Sequence, residues 1–247
     1  MASHLQREID KLKRKLLALS AVVEESLRQA FTAVERRDAT LASEVIERDH
    51  EIDEIEVDVE EDCLKVLALY QPVARDLRFI IAVVKIDNEL ERIGDMAVNI
   101  AERAQQLAAL PATPIPSELF VMAEKTQAML ERALDALVKS DTTLAKLVLV
   151  ADDEVDDLYV DVIERLKDGI RRTPEALDAL VTVFAVARHL ERLADHATNV
   201  AEDVIYMNEG EIARHKKGIF EFDAAAAQGR DAAATGQAQD SATGEPH

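Results

Sequence analysis

Four pairs of carboxylates, each pair spaced four residues apart, recur at matching places in this chain. Glu91 and Asp95 open the stretch Glu91-Arg-Ile-Gly-Asp-Met-Ala-Val-Asn-Ile-Ala-Glu-Arg103, which returns one hundred residues later as Glu191-Arg-Leu-Ala-Asp-His-Ala-Thr-Asn-Val-Ala-Glu-Asp203. Upstream of each copy lies a second pair, Asp49 with Asp53 and Asp152 with Asp156. On a helix, residues four apart share a face, so each pair sets two carboxylates side by side. Adjacent carboxylates repel unless positive charge sits between them. A cation held by oxygen ligands is one source of that charge; the neighbouring Arg92 and Arg192 are another. Oxygen-only ligands suit hard cations: iron, manganese, magnesium or calcium, with zinc also possible. The eight residues Asp49, Asp53, Glu91, Asp95, Asp152, Asp156, Glu191 and Asp195 are therefore the expected metal ligands.

These pairs need elements that hold them level. Apolar residues at Ile9, Leu12, Leu16, Leu19 and Val23, three and four apart, predict a first helix from Leu5 to about Arg36. Asp38 or Thr40 caps a second, running from Leu41 to about Leu69, where Pro72 stops it. A third runs from about Val73 to Leu110. Pro111, Pro114 and Pro116 exclude a helix between 111 and 116. Three more helices follow: about Ser117 to Lys139, Asp141 to near Arg172, and Pro174 to near Tyr206.

At an offset of 103, positions such as Asp38, Asp49, Asp53, Val57 and Asp58 meet the same residue types at Asp141, Asp152, Asp156, Val160 and Asp161. The chain thus reads as an all-α internal duplication. Residues 1–110 form a first three-helix bundle, 111–116 a proline linker and 117–207 a second bundle; 208–247 form a C-terminal extension that is largely flexible. About the turn near Gln71, Asp53 and Glu91 lie 18 residues before and 20 after, and Asp49 and Asp95 lie 22 before and 24 after. Short turns make the helices antiparallel, which brings all four to one height. About Thr173, Asp156 and Glu191 lie 17 and 18 residues away, and Asp152 and Asp195 lie 21 and 22 away.

The net charge of −20 argues against a nucleic-acid partner and suits a solvated cytosolic surface or a binder of cations. The single Cys63 permits no internal disulfide and reads as an inert core residue. The charged stretch from His4 to Lys15 predicts no secretory leader, and the longest apolar run, Phe79 to Val84, is far short of a membrane span. Glu47-x-x-His50 has the spacing of a di-iron helix motif, but the second half has Asp153 where the first has His50. His189 and His196 fall off the faces of their neighbouring carboxylates, which points to surface or interhelical roles. No Ser-His-Asp set and no glycine-rich phosphate loop is present.

Glu-Arg-Ile-Gly-Asp at 91–95, Glu-Arg-Leu-Ala-Asp-His-Ala at 191–197 and Gln-Pro-Val-Ala-Arg-Asp-Leu-Arg at 71–78 together resemble the PhoU family, accessory proteins of the phosphate-specific transport system. The resemblance spans about residues 4 to 220, including Ala213-Arg214-His215. It implies a pair of three-helix bundles related by pseudo-twofold symmetry, with metal ions or clusters at the eight carboxylates. It further implies a non-enzymatic negative regulator of phosphate uptake and of the phosphate-starvation response. The implied partners are the importer's ATPase subunit, the sensor histidine kinase and a second copy of the chain. The implied location is cytoplasmic, at the inner membrane, with membrane contact only through partners. The competing reading of the residues is a carboxylate-bridged metal oxidase or hydrolase. Two departures stand out: Ala194 occupies the place of Gly94, and the tail is longer than the family needs.

Overall fold

The computed structural model of the protein describes residues 2–210, so the expected flexibility of 211–247 and the match at 213–215 lie outside the described residues. Six α-helices make up the structure: α1 (Ala2–Arg36), α2 (Ala39–Tyr70), α3 (Ala74–Ala109), α4 (Ser117–Lys139), α5 (Thr142–Arg172) and α6 (Leu177–Glu209). Residues 111–116 carry no helix.

The turns show the duplication at atomic detail. Arg37 and Ser140 both adopt the left-handed conformation, with φ of 52° and 51°. Behind them the Asp38 amide donates to the Ala33 carbonyl and that of Asp141 to Ala136, closing α1 and α4 in the same way. The Asp38 carboxylate then accepts from the amides of Thr40 and Leu41, and the Asp141 carboxylate from Thr143 and Leu144, so one residue type caps α2 and α5 alike. The other turns differ. Gln71, at φ 47°, ends α2 ahead of Pro72, whereas Pro174 opens a single 3-10 turn, Pro174–Ala176, and α6 proper starts at Leu177. That helix continues to Glu209 before Gly210, at φ 75°, ends it.

Each half is a three-helix bundle, α1–α2–α3 and α4–α5–α6, and pseudo-twofold symmetry relates the two. Lys11 and Lys15 of α1 both reach Asp62 of α2 at 2.8 Å. Burial opposes ionisation of that carboxyl, but the two ammonium groups hold it down at about 2. The bundles meet along α3 and α6, with α1 against α4 beside them. Buried residues of all six helices join in one apolar core. Across the α3–α6 seam, Lys85 Nζ lies 2.7 Å from Asp203 Oδ1 and 5.2 Å from the centre of the Tyr206 ring.

Arg37 ties the linker down: its guanidinium donates to the carbonyls of Leu107, Pro111 and Thr113. Cutting the chain between Ala112 and Pro116 is therefore expected to leave each half helical and still bound to the other, because the seam carries part of the common core. Gel filtration and circular dichroism of nicked protein check this. Two separate peaks would show that the seam is too weak to hold without the linker.

Candidate metal centre

Glycine at 94 lets α2 and α3 approach closely at the level of the first carboxylate cluster. A Cβ at that position would stand 2.9 Å from Ile52 Cδ1, and Ile52 is buried in α2 between Asp49 and Asp53. Asp49 and Glu91 are half-buried, while Asp53 and Asp95 are exposed. The four lie near enough for their charges to act on one another. Burial, then Asp53 and Asp95, push the Asp49 carboxyl up, with His50 opposing. Burial and Asp95 push Glu91 up, Arg92 opposes, and Glu56 and Asp53 add to the rise.

In the second half, burial, Asp195 and Asp156 raise Glu191 against Arg188 and Arg192. Asp152 is 2% exposed within α5. Both halves thus concentrate negative charge between paired helices, and protons or cations would relieve it.

Arg92 and Arg192 act on Glu91 and Glu191 through their charge. Arg92 Nε also donates to Asn88 Oδ1 at 3.1 Å, within α3. His50 is exposed and turns Nδ1 to the carbonyl of Glu47, so it does not extend the cluster. The two motif asparagines also take separate tasks. Asn99 donates to the Asp95 carbonyl at 2.7 Å, whereas Asn199 donates to Glu89 Oε2 across the seam at 3.1 Å. His196 meets that same Glu89 oxygen, which gives it the interhelical role. Burial would raise Glu89, but the His196 and Asn199 hydrogen bonds hold it below the usual carboxylate range.

The donor set fits a hard cation: carboxylate oxygens from two antiparallel helices in each half. Among the described residues, no three His, Cys, Asp or Glu side chains already converge on a point where an ion would sit. Ligation would have to draw the carboxylates inward. None of the eight lines the 300 Å³ cavity between Ile9, Lys13, Arg75, Phe79 and Met207, or the 800 Å³ groove between α1 and α4.

Sequence reasoning missed Asp87. It lies four residues before Glu91, is 1% exposed, and its Oδ1 has no hydrogen-bond partner. The signal was available as a third acid on the Glu91–Asp95 stripe, but the duplication hid it, because position 187 is alanine.

Comparison with known proteins agrees with this architecture. The family model described as PhoU domain matches the chain twice, over residues 16–104 and 119–204. The phosphate-specific transport system accessory protein PhoU homologue of Aquifex aeolicus is 40% identical over 212 residues, 86% of this chain and 96% of that protein. The homologue of Pseudomonas aeruginosa is 35% identical over 216 residues, 87% of this chain and 89% of its own. The crystal structure of PhoU from Pseudomonas aeruginosa superposes with a TM-score of 0.81 at 36% identity, covering 83% of this chain and 99% of that one. The phosphate transport system regulatory protein PhoU from Streptococcus pneumoniae gives a TM-score of 0.79 at 27% identity, covering 84% and 98%.

Proposed function

Because the chain belongs to the PhoU family, we propose that it is a regulatory accessory protein of phosphate transport that restrains phosphate uptake and the phosphate-starvation response. The observation that carries this reading is the double family match, one copy over each bundle. In this role the protein is a helical adaptor between the importer's ATPase subunit and the sensor histidine kinase, and works as a homodimer. It acts in the cytoplasm at the inner membrane through those partners; none of the helices among the described residues is long and apolar enough to cross a membrane.

Asp49, Asp53, Glu91 and Asp95 would hold cations in the first bundle, and Asp152, Asp156, Glu191 and Asp195 in the second. Iron, manganese, magnesium and zinc all suit such oxygen donors to different degrees. A bound ion supplies positive charge that lets the acidic faces of α2 and α3, and of α5 and α6, stay packed. The carboxylates position it and the apolar core beneath keeps the helices in register.

No catalysis is assigned. An oxidase or hydrolase needs an open coordination position facing a substrate pocket, and the cavities described above lie away from the carboxylates. Relatives named as accessory proteins support the same reading.

Deleting the gene in its host is expected to switch on phosphate-starvation genes in phosphate-rich medium, and the intact chain is expected to restore repression. A starvation-gene reporter reads the outcome. Normal repression in the deletion strain, with no second copy present, would overturn the assignment.

A further inference from the structure

The two bundles pack closely along α3 and α6 but stay parted between α1 and α4, where the 800 Å³ groove runs. Its floor is apolar, with Leu27, Leu130 and Leu134 buried in the common core. Glu24, Glu131 and Asp135 stand along its walls. Glu24 is half-buried, and burial, then Glu131 and Asp135, raise its carboxyl; no basic group is among those influences. Acids facing one another over an apolar floor suit an occupant that is both basic and apolar. None of these residues belongs to the eight carboxylates of the metal centre.

The chain itself holds such a segment. Gly210, the last described residue, ends α6. Met207 and Asn208, just before it, line the 300 Å³ cavity. Leu17 and Val138, two exposed apolar side chains, line both that cavity and the groove, so the cavity leads from the end of α6 into the groove. Residues 211–222 carry Arg214, His215, Lys216 and Lys217 in a row, then Ile219, Phe220 and Phe222. Beyond 222 the sequence has no Leu, Ile, Val, Met, Phe, Tyr or Trp. A stretch of that length spans up to about 40 Å when extended, and the groove from residue 17 to 28 of α1 is about 16 Å long. The order along the path also agrees: Glu24, Glu131 and Asp135 come after Leu17 and Val138, and Leu27 and Leu130 lie beyond.

We propose that residues 211–222 dock in the α1–α4 groove of their own chain, with the basic run against Glu24, Glu131 and Asp135 and the apolar residues over Leu27 and Leu130. Docked there, the segment covers Leu17 and Val138 and straps one bundle to the other on the side away from the α3–α6 seam. It then competes with any partner that offers a basic amphipathic helix to the same groove.

The chain has no tryptophan, so Phe220→Trp in the full-length protein gives a single reporter. Its emission is expected to lie to the blue of free tryptophan, with quenching by acrylamide several-fold weaker. Reversing charge in the groove by Glu131→Lys with Asp135→Lys, both at exposed positions, should return quenching to the free value with unchanged helicity. Adding Arg214→Glu, Lys216→Glu and Lys217→Glu to that variant should restore the protection. A reporter quenched like free tryptophan in the parent chain would overturn the proposal and leave the groove to a partner. Protection that charge reversal does not change would overturn the groove placement. Protection that is lost on dilution would place the segment in a second copy, and so would overturn docking within one chain.

Discussion

The double variant Asp95→Asn, Asp195→Asn should bind little metal in either bundle and should no longer be destabilised by a chelator. Each single variant should empty its own half and leave the other largely filled. The sign of the stability change separates metal ligands from solvated helix faces. In metal-free protein the carboxylates around Glu91 and Glu191 raise one another, so removing a charge should leave the melting temperature unchanged or higher. In loaded protein, an ion present at a hundred times its dissociation constant contributes about 2.7 kcal/mol. Its loss should lower the melting temperature by roughly 5–10 °C for a chain of this size. Metal analysis and thermal melts, with and without chelator, check both signs. Unchanged metal content with equal or higher melting temperatures would overturn the metal-binding reading in both halves.

Gly94→Val should produce the other large effect, a loss of about 3 kcal/mol and a melting temperature roughly 10 °C lower. A Cβ at 94 already meets Ile52 at 2.9 Å, and a branched side chain leaves α2 and α3 no way to keep their spacing. The first-half carboxylates should separate and lose metal while the second half stays filled. Duplication supplies the rescue. The counterparts of Ile52 and Gly94 are Val155 and Ala194, which hold the same number of side-chain carbons, one of them moved from α5 to α6. Gly94→Ala combined with Ile52→Val should therefore come within about 0.5 kcal/mol of wild type, with a coupling energy of about 1 kcal/mol between the two changes. Thermal melts of the single and double variants measure it. Additive effects would show that the contact does not set the helix spacing.

That pair also shows what a sequence can and cannot reveal. Ala194 is visible as a departure from the repeated motif, but its compensation by Val155 is not, because the partner lies on another helix. Helix ends were legible where local chemistry decides them. Asp38 and Asp141 cap their helices through their own side chains, and the prolines stop helices by lacking a donor. Antiparallel hairpins fix height by counting, and Asp49, Asp53, Glu91 and Asp95 lie near enough for their charges to act on one another. The seam was not legible. Periodicity marks the apolar positions of α3 without saying which of them meet α1, α2 or α6. For the same reason Glu89 gave no sign that it receives His196 and Asn199.

The α3–α6 seam bears on the ancestry of the chain. A homodimer of one three-helix protein must carry every contact at its twofold interface twice, once in each direction. Joined by residues 111–116, the two copies are released from that obligation. Lys85 faces Asp203, but the mirrored positions hold Ala185 and Arg103; Glu89 faces His196, but the mirrored positions hold His189 and Met96. Fusion has let each contact be kept on one side and rewritten on the other, which identical subunits encoded by a single gene could not do.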